Sequence, residues 1–279
     1  MEKMLIVDGM NLLFQMFYGM PNRIFAENGR PIHGTIGFVG ALLKMIRMVK
    51  PGHVLVVFDG ETHNPRKDMD EAYKANRPDY SDMDENEIPF SQLPDIYNAL
   101  GYLGICHKET ADCEADDWIA GYVRRWAGEY DITVASFDSD FFQLIGDHVQ
   151  ILRYRGENSV VCDRSWLWQK YGIHPEQYAA FKALTGDSAD NIRGVDKVGP
   201  KTAAWLLQTY DTLEGVMENT GAVTKPAIRK SLEESLDRLA KNYELICLQG
   251  CCCLPFTPEE LAWEYRGETT GQVLRAIGI

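Results

Sequence analysis

The chain has 279 residues, 45% of them hydrophobic, which is enough for a sizeable core in one large domain or two closely packed ones. Its formal net charge is −13 and its pI about 4.9, so charge alone argues against a nucleic-acid partner unless the acids have another task. No apolar run reaches transmembrane length and the first residues lack a signal-peptide core; no membrane association and a cytoplasmic location are expected.

Met4, Leu5, Ile6 and Val7 form a short apolar run that ends in Asp8-Gly9, which reads as a buried strand with an acid at its carboxyl end. Asn11 follows, and residues 12–18 read as a helix in which Phe17 and Tyr18 suit either the core or stacking on a base. Residues 34–49 carry an amphipathic helical pattern, broken by Pro51-Gly52. A second apolar run, residues 54–58, also ends in an acid, Asp59. Strand, helix, strand at this spacing predicts a parallel right-handed unit, with Asp8 and Asp59 together beyond the carboxyl ends of the strands, where such sheets place their sites. Residues 61–89 are polar; Arg66, Lys67, Lys74 and Arg77 form a loose basic cluster around Tyr73, and five acids follow within residues 79–87. With no apolar period there, Lys74 is expected to be exposed and mobile.

A helix over residues 93–100 and a strand within 101–107 precede Glu114-Ala115-Asp116-Asp117. Helical spacing puts Glu114 and Asp117 on one face with Asp116 beside them. Three clustered carboxylates repel one another unless a cation sits among them, and hard cations such as Mg²⁺ and Mn²⁺ take oxygen ligands of this kind; a solvated acidic helix start is the bland alternative. Residues 132–136 read as a strand that leads to Asp138-Ser139-Asp140, and residues 149–152 as the last strand. The pattern then turns helical. Asp187 and Asp190, three apart, would be aimed the same way by a turn. Gly194-Val195-Asp196-Lys197-Val198-Gly199-Pro200-Lys201-Thr202 forms a tight turn between two helical patterns, and its amides are suited to holding a phosphate. Residues 213–248 read as helical and peripheral, and residues 255–279 carry no legible chemistry. There are seven cysteines; Cys247, Cys251, Cys252 and Cys253 lack the paired spacing of a zinc site and read as small apolar residues in a reducing compartment.

These motifs, in this order, resemble the 5′-nuclease family: the 5′-nuclease domain of bacterial DNA polymerase I, phage 5′-exonucleases and flap endonucleases. The resemblance runs over about residues 4–248 and rests on Val7-Asp8-Gly9 with Asn11, Val57-Phe58-Asp59, Tyr73-Lys74-Ala75-Asn76-Arg77-Pro78, the Glu114 cluster, Asp138-Ser139-Asp140, Gly186-Asp187 with Asp190-Asn191, and the 194–201 turn. It implies an α/β fold: a mostly parallel central sheet flanked by helices over residues 1–163, including an arch segment at about 61–89, then a helical helix-hairpin-helix part over 164–279. It implies two metal sites, one drawn from Asp8, Asp59, Glu114, Asp116 and Asp117, the other from Asp138, Asp140, Asp187 and Asp190. Lys74 and Arg77 match catalytic, strand-contacting cations of the arch. Tyr73, Gly194, Val195, Lys197, Val198, Gly199, Lys201 and Thr202 fall in DNA-contacting positions, with a K⁺ ion held by main-chain carbonyls of the hairpin.

The implied reaction is hydrolysis of DNA phosphodiesters near 5′ ends or flaps, with two Mg²⁺ or Mn²⁺ ions about 4 Å apart. A free-standing monomer is expected, since 279 residues leave no room for a polymerase. Two rivals are a junction-binding protein of the same fold without strong activity, and a phosphatase using Asp138 and Asp140 as nucleophile and acid. The latter leaves Asp187, Asp190 and the hairpin without a role.

Overall fold

The computed structural model describes all residues except Asn28, residues 61–64, Asp112 and Cys252, together with the side chain of Glu85. Strand β1 (Glu2–Asp8) runs into helix α1 (Gly9–Gly19) with no intervening loop, because the Asp8 side chain caps the helix by accepting from the Asn11 N–H at 3.0 Å. Helix α2 (His33–Val49) then returns to β2 (His53–Phe58). The short α3 (Pro65–Met69) opens the segment before α4 (Leu93–Leu103) and β3 (Cys106–Glu109). Helix α5 (Ala115–Trp126), β4 (Tyr130–Ala135), β5 (Val149–Arg153) and β6 (Val160–Cys162) complete the sheet.

Among the described residues the main sheet has six strands in the order β3-β2-β1-β4-β5-β6, parallel except for the edge pair β5-β6. Both faces are buried, as the continuous apolar strands require. Met4 and Ile6 of β1 point to one core; Leu5 and Val7 point to the other. The second face is covered by α1, α2, α4 and the C-terminal α13 (Thr270–Ala276). The first is covered by α5 and by the helices of the second half: α6 (Arg164–Tyr171), α7 (Tyr178–Thr185), α8 (Pro200–Tyr210), α9 (Leu213–Glu218), α10 (Pro226–Glu233) and α11 (Leu236–Ile246). A short α12 (Pro258–Leu261) packs beside β2.

Several expectations need correction. The third strand, expected within 101–107, starts only at Cys106 and runs to Glu109; α4 continues through Leu103 until Gly104 takes a left-handed conformation (φ 65°) and its N–H closes the helix on Leu100 and Gly101. The strand at 149–153 is not the last. β6 follows it, and β7 (Gly186–Asp187) with β8 (Ile192–Arg193) makes a small hairpin between α7 and α8. Residues 213–248 are not peripheral: Leu239, Leu245, Ile246 and Leu248 are fully buried, and α11 lies against α7. The tail is structural: Val273 is in the core and the Trp263 indole donates to the Leu103 carbonyl at 2.8 Å. Phe17 is core, whereas Tyr18 is exposed.

Candidate metal centre and nucleic-acid interface

The acids converge beyond the carboxyl ends of the parallel strands. Asp8 ends β1; its second oxygen accepts from the Ser136 hydroxyl at 2.8 Å. Asp59 follows β2 and accepts from the Ala115 N–H at 2.8 Å, which ties that strand end to the start of α5. Asp138 follows β4. Its N–H reaches the Ser136 hydroxyl at 3.0 Å, and its carboxylate accepts the Asp140 N–H at 2.8 Å. Asn11 holds the same loop by accepting the Phe137 N–H at 2.9 Å.

Burial and mutual repulsion raise these groups. Asp8 is pushed up to about 7, first by burial and then by Asp59 and Asp138, against the hydrogen bonds that favour its ionised form. Asp116 is pushed well above the carboxylate range by burial and by the neighbouring charges of Asp138, Asp8 and Asp59. Asp140 also rises to about 7, chiefly by burial, with Lys182 pulling the other way. One carboxylate oxygen from each of Asp140, Asp187 and Asp190 lies within 4.8 Å of the other two. The β7-β8 hairpin brings the last two there. It works only with glycine at both ends: a Cβ on Gly186 would lie 2.5 Å from the Gly194 nitrogen, and one on Gly194 2.3 Å from the Thr185 carbonyl carbon.

The Glu114 cluster divides. Asp116 faces Asp8, Asp59 and Asp138. Glu114 and Asp117 share a face, as the helical spacing requires, but they meet the buried Arg66. Its Nη1 donates to Glu114 at 2.6 Å and to Asp117 at 2.8 Å, and its Nη2 to the other Asp117 oxygen at 3.0 Å. Arg66 Nε also donates to the Leu245 carbonyl at 2.9 Å, so one side chain joins α3, α5 and the end of α11. Asp117 is therefore held toward Arg66, while the acids whose charges act on Asp116 are Asp138, Asp8 and Asp59. Asp138 stands between the two groups: its charge acts on Asp8 and Asp116 and also on Asp140 and Asp190.

The expectation that Lys74 is exposed is overturned. Lys74 is 9% exposed; its N–H donates to the Asp190 carbonyl at 3.0 Å and its ammonium pairs with Glu114. Burial alone would lower its pKa, but Glu114, Asp116 and Asp190 outweigh that and raise it. The carboxylates draw the lysine in, as opposite charges at low dielectric must. Tyr73 is 4% exposed, with its hydroxyl 3.3 Å from Glu114 and 3.5 Å from Asp190, so its ring is packed in the centre and not open for base stacking. Arg77 is exposed and reaches Asp190 at 3.2 Å. A cleft of about 660 Å³ opens beside this row, lined by Asp59, Lys67, Lys74, Arg77 and Glu114.

In the 194–202 turn, Val195 and Val198 are buried anchors, with the Val195 N–H donating to the Leu184 carbonyl at 2.8 Å. Lys197, in the left-handed region (φ 66°), and Lys201 are exposed; Gly199 caps α8, and Thr202 lies in its first turn. Gly194 packs against α7 and is half-buried.

Sequence reasoning missed three residues. Ser136 is one. Arg66 was visible only as part of a loose cluster. Lys182 is buried in α7, and its ammonium pairs with both Asp140 and Asp187. Its signal was a lone cation within the apolar run Tyr178, Ala179, Ala180, Phe181, Ala183, Leu184.

The sequence matches the family description "5′-3′ exonuclease, N-terminal resolvase-like domain" over residues 3–172 and "5′-3′ exonuclease, C-terminal SAM fold" over residues 173–268. It is 32% identical to the "5′-3′ exonuclease" of Bacillus subtilis, covering 98% of this chain and 92% of that one. It is 33% identical to the thermostable DNA polymerase I of Thermus thermophilus over 87% of this chain but only 28% of the polymerase's length. The fold is similar to the bacteriophage T5 flap endonuclease in a pseudo-enzyme–product complex with DNA and metal ions, with a TM-score of 0.72 at 22% identity, over 99% of this chain and 94% of that one. A sheet with acids at its carboxyl edge, a helical second half and two successive domain matches lead to one conclusion: the chain belongs to the 5′-3′ exonuclease family.

Proposed function

We propose that this protein is a metal-dependent, structure-specific 5′-nuclease that hydrolyses phosphodiesters of DNA near 5′ ends or flaps. The observation that carries the reading is the convergence of Asp8, Asp59, Asp116, Asp138, Asp140, Asp187 and Asp190 from distant segments onto one sheet edge. An all-oxygen donor set of this density suits Mg²⁺ or Mn²⁺. Burial that raises Asp8 and Asp140 to about 7 is the electrostatic condition a divalent charge relieves. The chemistry such ions supply when bound is activation of a water and stabilisation of charge on the leaving oxygen.

The protein's own groups do the rest. Asp8, Asp59 and Asp116 belong to one ligand group and Asp140, Asp187 and Asp190 to the second; Asp138, expected in the second, acts on both, and Glu114 and Asp117, expected in the first, are turned to Arg66 and Lys74. Ser136 and Asn11 fix the loop that carries Asp138. Lys74 stands at the edge of the centre, where its compact charge can stabilise a phosphate in the transition state. Arg77, exposed beside it, orients the strand. Residues 164–279 supply the second DNA contact: the amides at the start of α8, with Lys197 and Lys201, hold duplex backbone without reading sequence, and main-chain carbonyls of that turn suit a K⁺ ion.

The test is Mg²⁺-dependent cleavage of a 5′-labelled flap duplex. The reading predicts short labelled products with Mg²⁺ and none with chelator. Binding without cleavage would favour the junction-binding reading, and release of inorganic phosphate through a phosphoenzyme would favour the phosphatase.

A further inference from the structure

The two acid groups are compensated differently. Asp8 and Asp59 are held by hydrogen bonds from the Asn11 and Ala115 amides and the Ser136 hydroxyl, and the Lys74 ammonium, paired with Glu114, acts on Asp59 and Asp116 by its charge. The acids of the other group meet full cations. The Lys182 ammonium pairs with Asp140 and Asp187, and Arg77 reaches Asp190. Arg77 is exposed and can leave, but Lys182 is rooted in the middle of α7 between the buried Phe181 and Ala183 and is itself 7% exposed. Its stem is walled in by core residues, so its charge is a permanent part of the site. Two oxygens that a divalent ion would use are already shared with this charge, and an ion seated there faces a cation within a few ångström.

We propose that Lys182 is a built-in counter-charge that makes the Asp140–Asp187–Asp190 group the weaker of the two divalent-ion sites while keeping its carboxylates gathered before the ion arrives. It acts through the carboxylates and is a positioning residue. The assignment rests on the two-ion reading above and deepens it by naming the residue that sets the difference between the sites. The benefit is physical. Without the lysine, three acids within 4.8 Å would repel each other and splay the β7-β8 hairpin. With it, the hairpin stays in place, and the ion pair is exchanged for the ion only when the ion is abundant or a substrate phosphate adds its own charge.

The test is Mn²⁺ binding to the full-length chain without DNA, read as free Mn²⁺ by electron paramagnetic resonance, for the wild type, Lys182→Met and Lys182→Arg. Wild type should show one tighter and one weaker site. Lys182→Met should tighten the weaker site by about tenfold or more, the scale on which a single neighbouring charge moves a carboxylate's affinity for a proton. Lys182→Arg should stay close to wild type. A merely structural lysine would not change one site selectively and would not be rescued by charge. If Lys182→Met unfolds in chelator, refolding by millimolar Mn²⁺ is the expected result, because the ion then replaces the lysine's charge; a chain that stays unfolded at saturating Mn²⁺ overturns the proposal. Unchanged Mn²⁺ binding in Lys182→Met, with or without weaker DNA binding, also overturns it and leaves the two-ion reading standing. No Mn²⁺ binding by the wild type would sink both.

Discussion

Lys74 holds a place that its neighbours in sequence do not announce. It sits in a polar segment, yet it is buried because Glu114 pairs with it and the Asp190 carbonyl accepts its N–H. Burial of the ammonium without partners would cost several kcal/mol, so the acids must be formed for the lysine to stay. Lys74→Ala should therefore lower single-turnover cleavage by roughly a hundredfold or more, the scale for loss of one transition-state donor, with little change in DNA affinity. Lys74→Arg should not restore the rate, because a planar guanidinium cannot take the position of a compact ammonium against Glu114. Equal single-turnover rates for Lys74→Ala and wild type at saturating enzyme would remove it from the chemistry. Asp8 makes a different prediction, in stability. Its carboxyl titrates near 7 in the folded chain and near 3.8 when unfolded. The folded state therefore holds that proton more tightly, a contribution fully present below about pH 4 and lost as the pH rises through 7. In chelator, the melting temperature should fall from pH 5 to 8, and Asp8→Asn, which keeps the helix cap, should flatten that fall. A wild-type slope equal to that of Asp8→Asn would contradict the assignment.

At the scale of elements, the strand ends were legible and the joints between elements were not. Apolar runs ending in Asp8 and Asp59 are strong signals because parallel strands are apolar throughout and their loops are not. The alternation that sends Met4 and Ile6 one way and Leu5 and Val7 the other follows directly. The start of β3 was misread because Gly101 resembles a terminator, whereas the helix ends at Gly104, where the left-handed turn is made. The role of α11 was invisible because it gives backbone carbonyls, at Leu245 and Cys247, to Arg66; carbonyls carry no side-chain signature. Arg66 joins three elements through buried ion pairs to the start of α5 and a hydrogen bond to the Leu245 carbonyl of α11. Arg66→Ala should destabilise the fold by about 3–5 kcal/mol, since Asp117 would lose its buried cation while Glu114 would keep Lys74. Chemical denaturation reads this directly, and a loss under 1 kcal/mol would mean that the pairs are solvated in solution. The turn before α8 was legible from Gly199-Pro200. Its exposed Lys197 and Lys201 should each, when changed to alanine, weaken duplex binding alike for any sequence and flatten its salt dependence; unchanged affinity in both would leave the turn a structural joint.

For the molecule as a whole, the charge of −13 is reconciled with a polyanionic substrate by where the acids lie. Seven of them gather beyond the carboxyl ends of the parallel strands and on the β7-β8 hairpin beside them, where ions can neutralise them, and the positive groups proposed to meet DNA are local: Lys74 and Arg77 beside the acids, and the exposed Lys197 and Lys201 in the turn before α8. That Asp8, Asp59 and Asp138 would meet was legible from strand ends; Asp187 and Asp190 were joined to them only through the family resemblance, and Glu114 and Asp117, expected in the first metal group, meet Arg66 instead. Arg66 lies about fifty residues from those partners in a polar segment, and Lys182, a lone cation in an apolar run, does not announce that its ammonium pairs with Asp140 and Asp187. The central claim is that both acid groups form one hydrolytic centre. Its most direct test is single-turnover cleavage of a 5′-flap duplex in Mg²⁺, measured beside DNA affinity, for Asp116→Asn and Asp140→Asn. Each variant should lose cleavage while its DNA affinity stays within a few-fold of wild type, because removing a negative charge does not weaken attraction to a polyanion. Near wild-type cleavage by either variant would contradict the account.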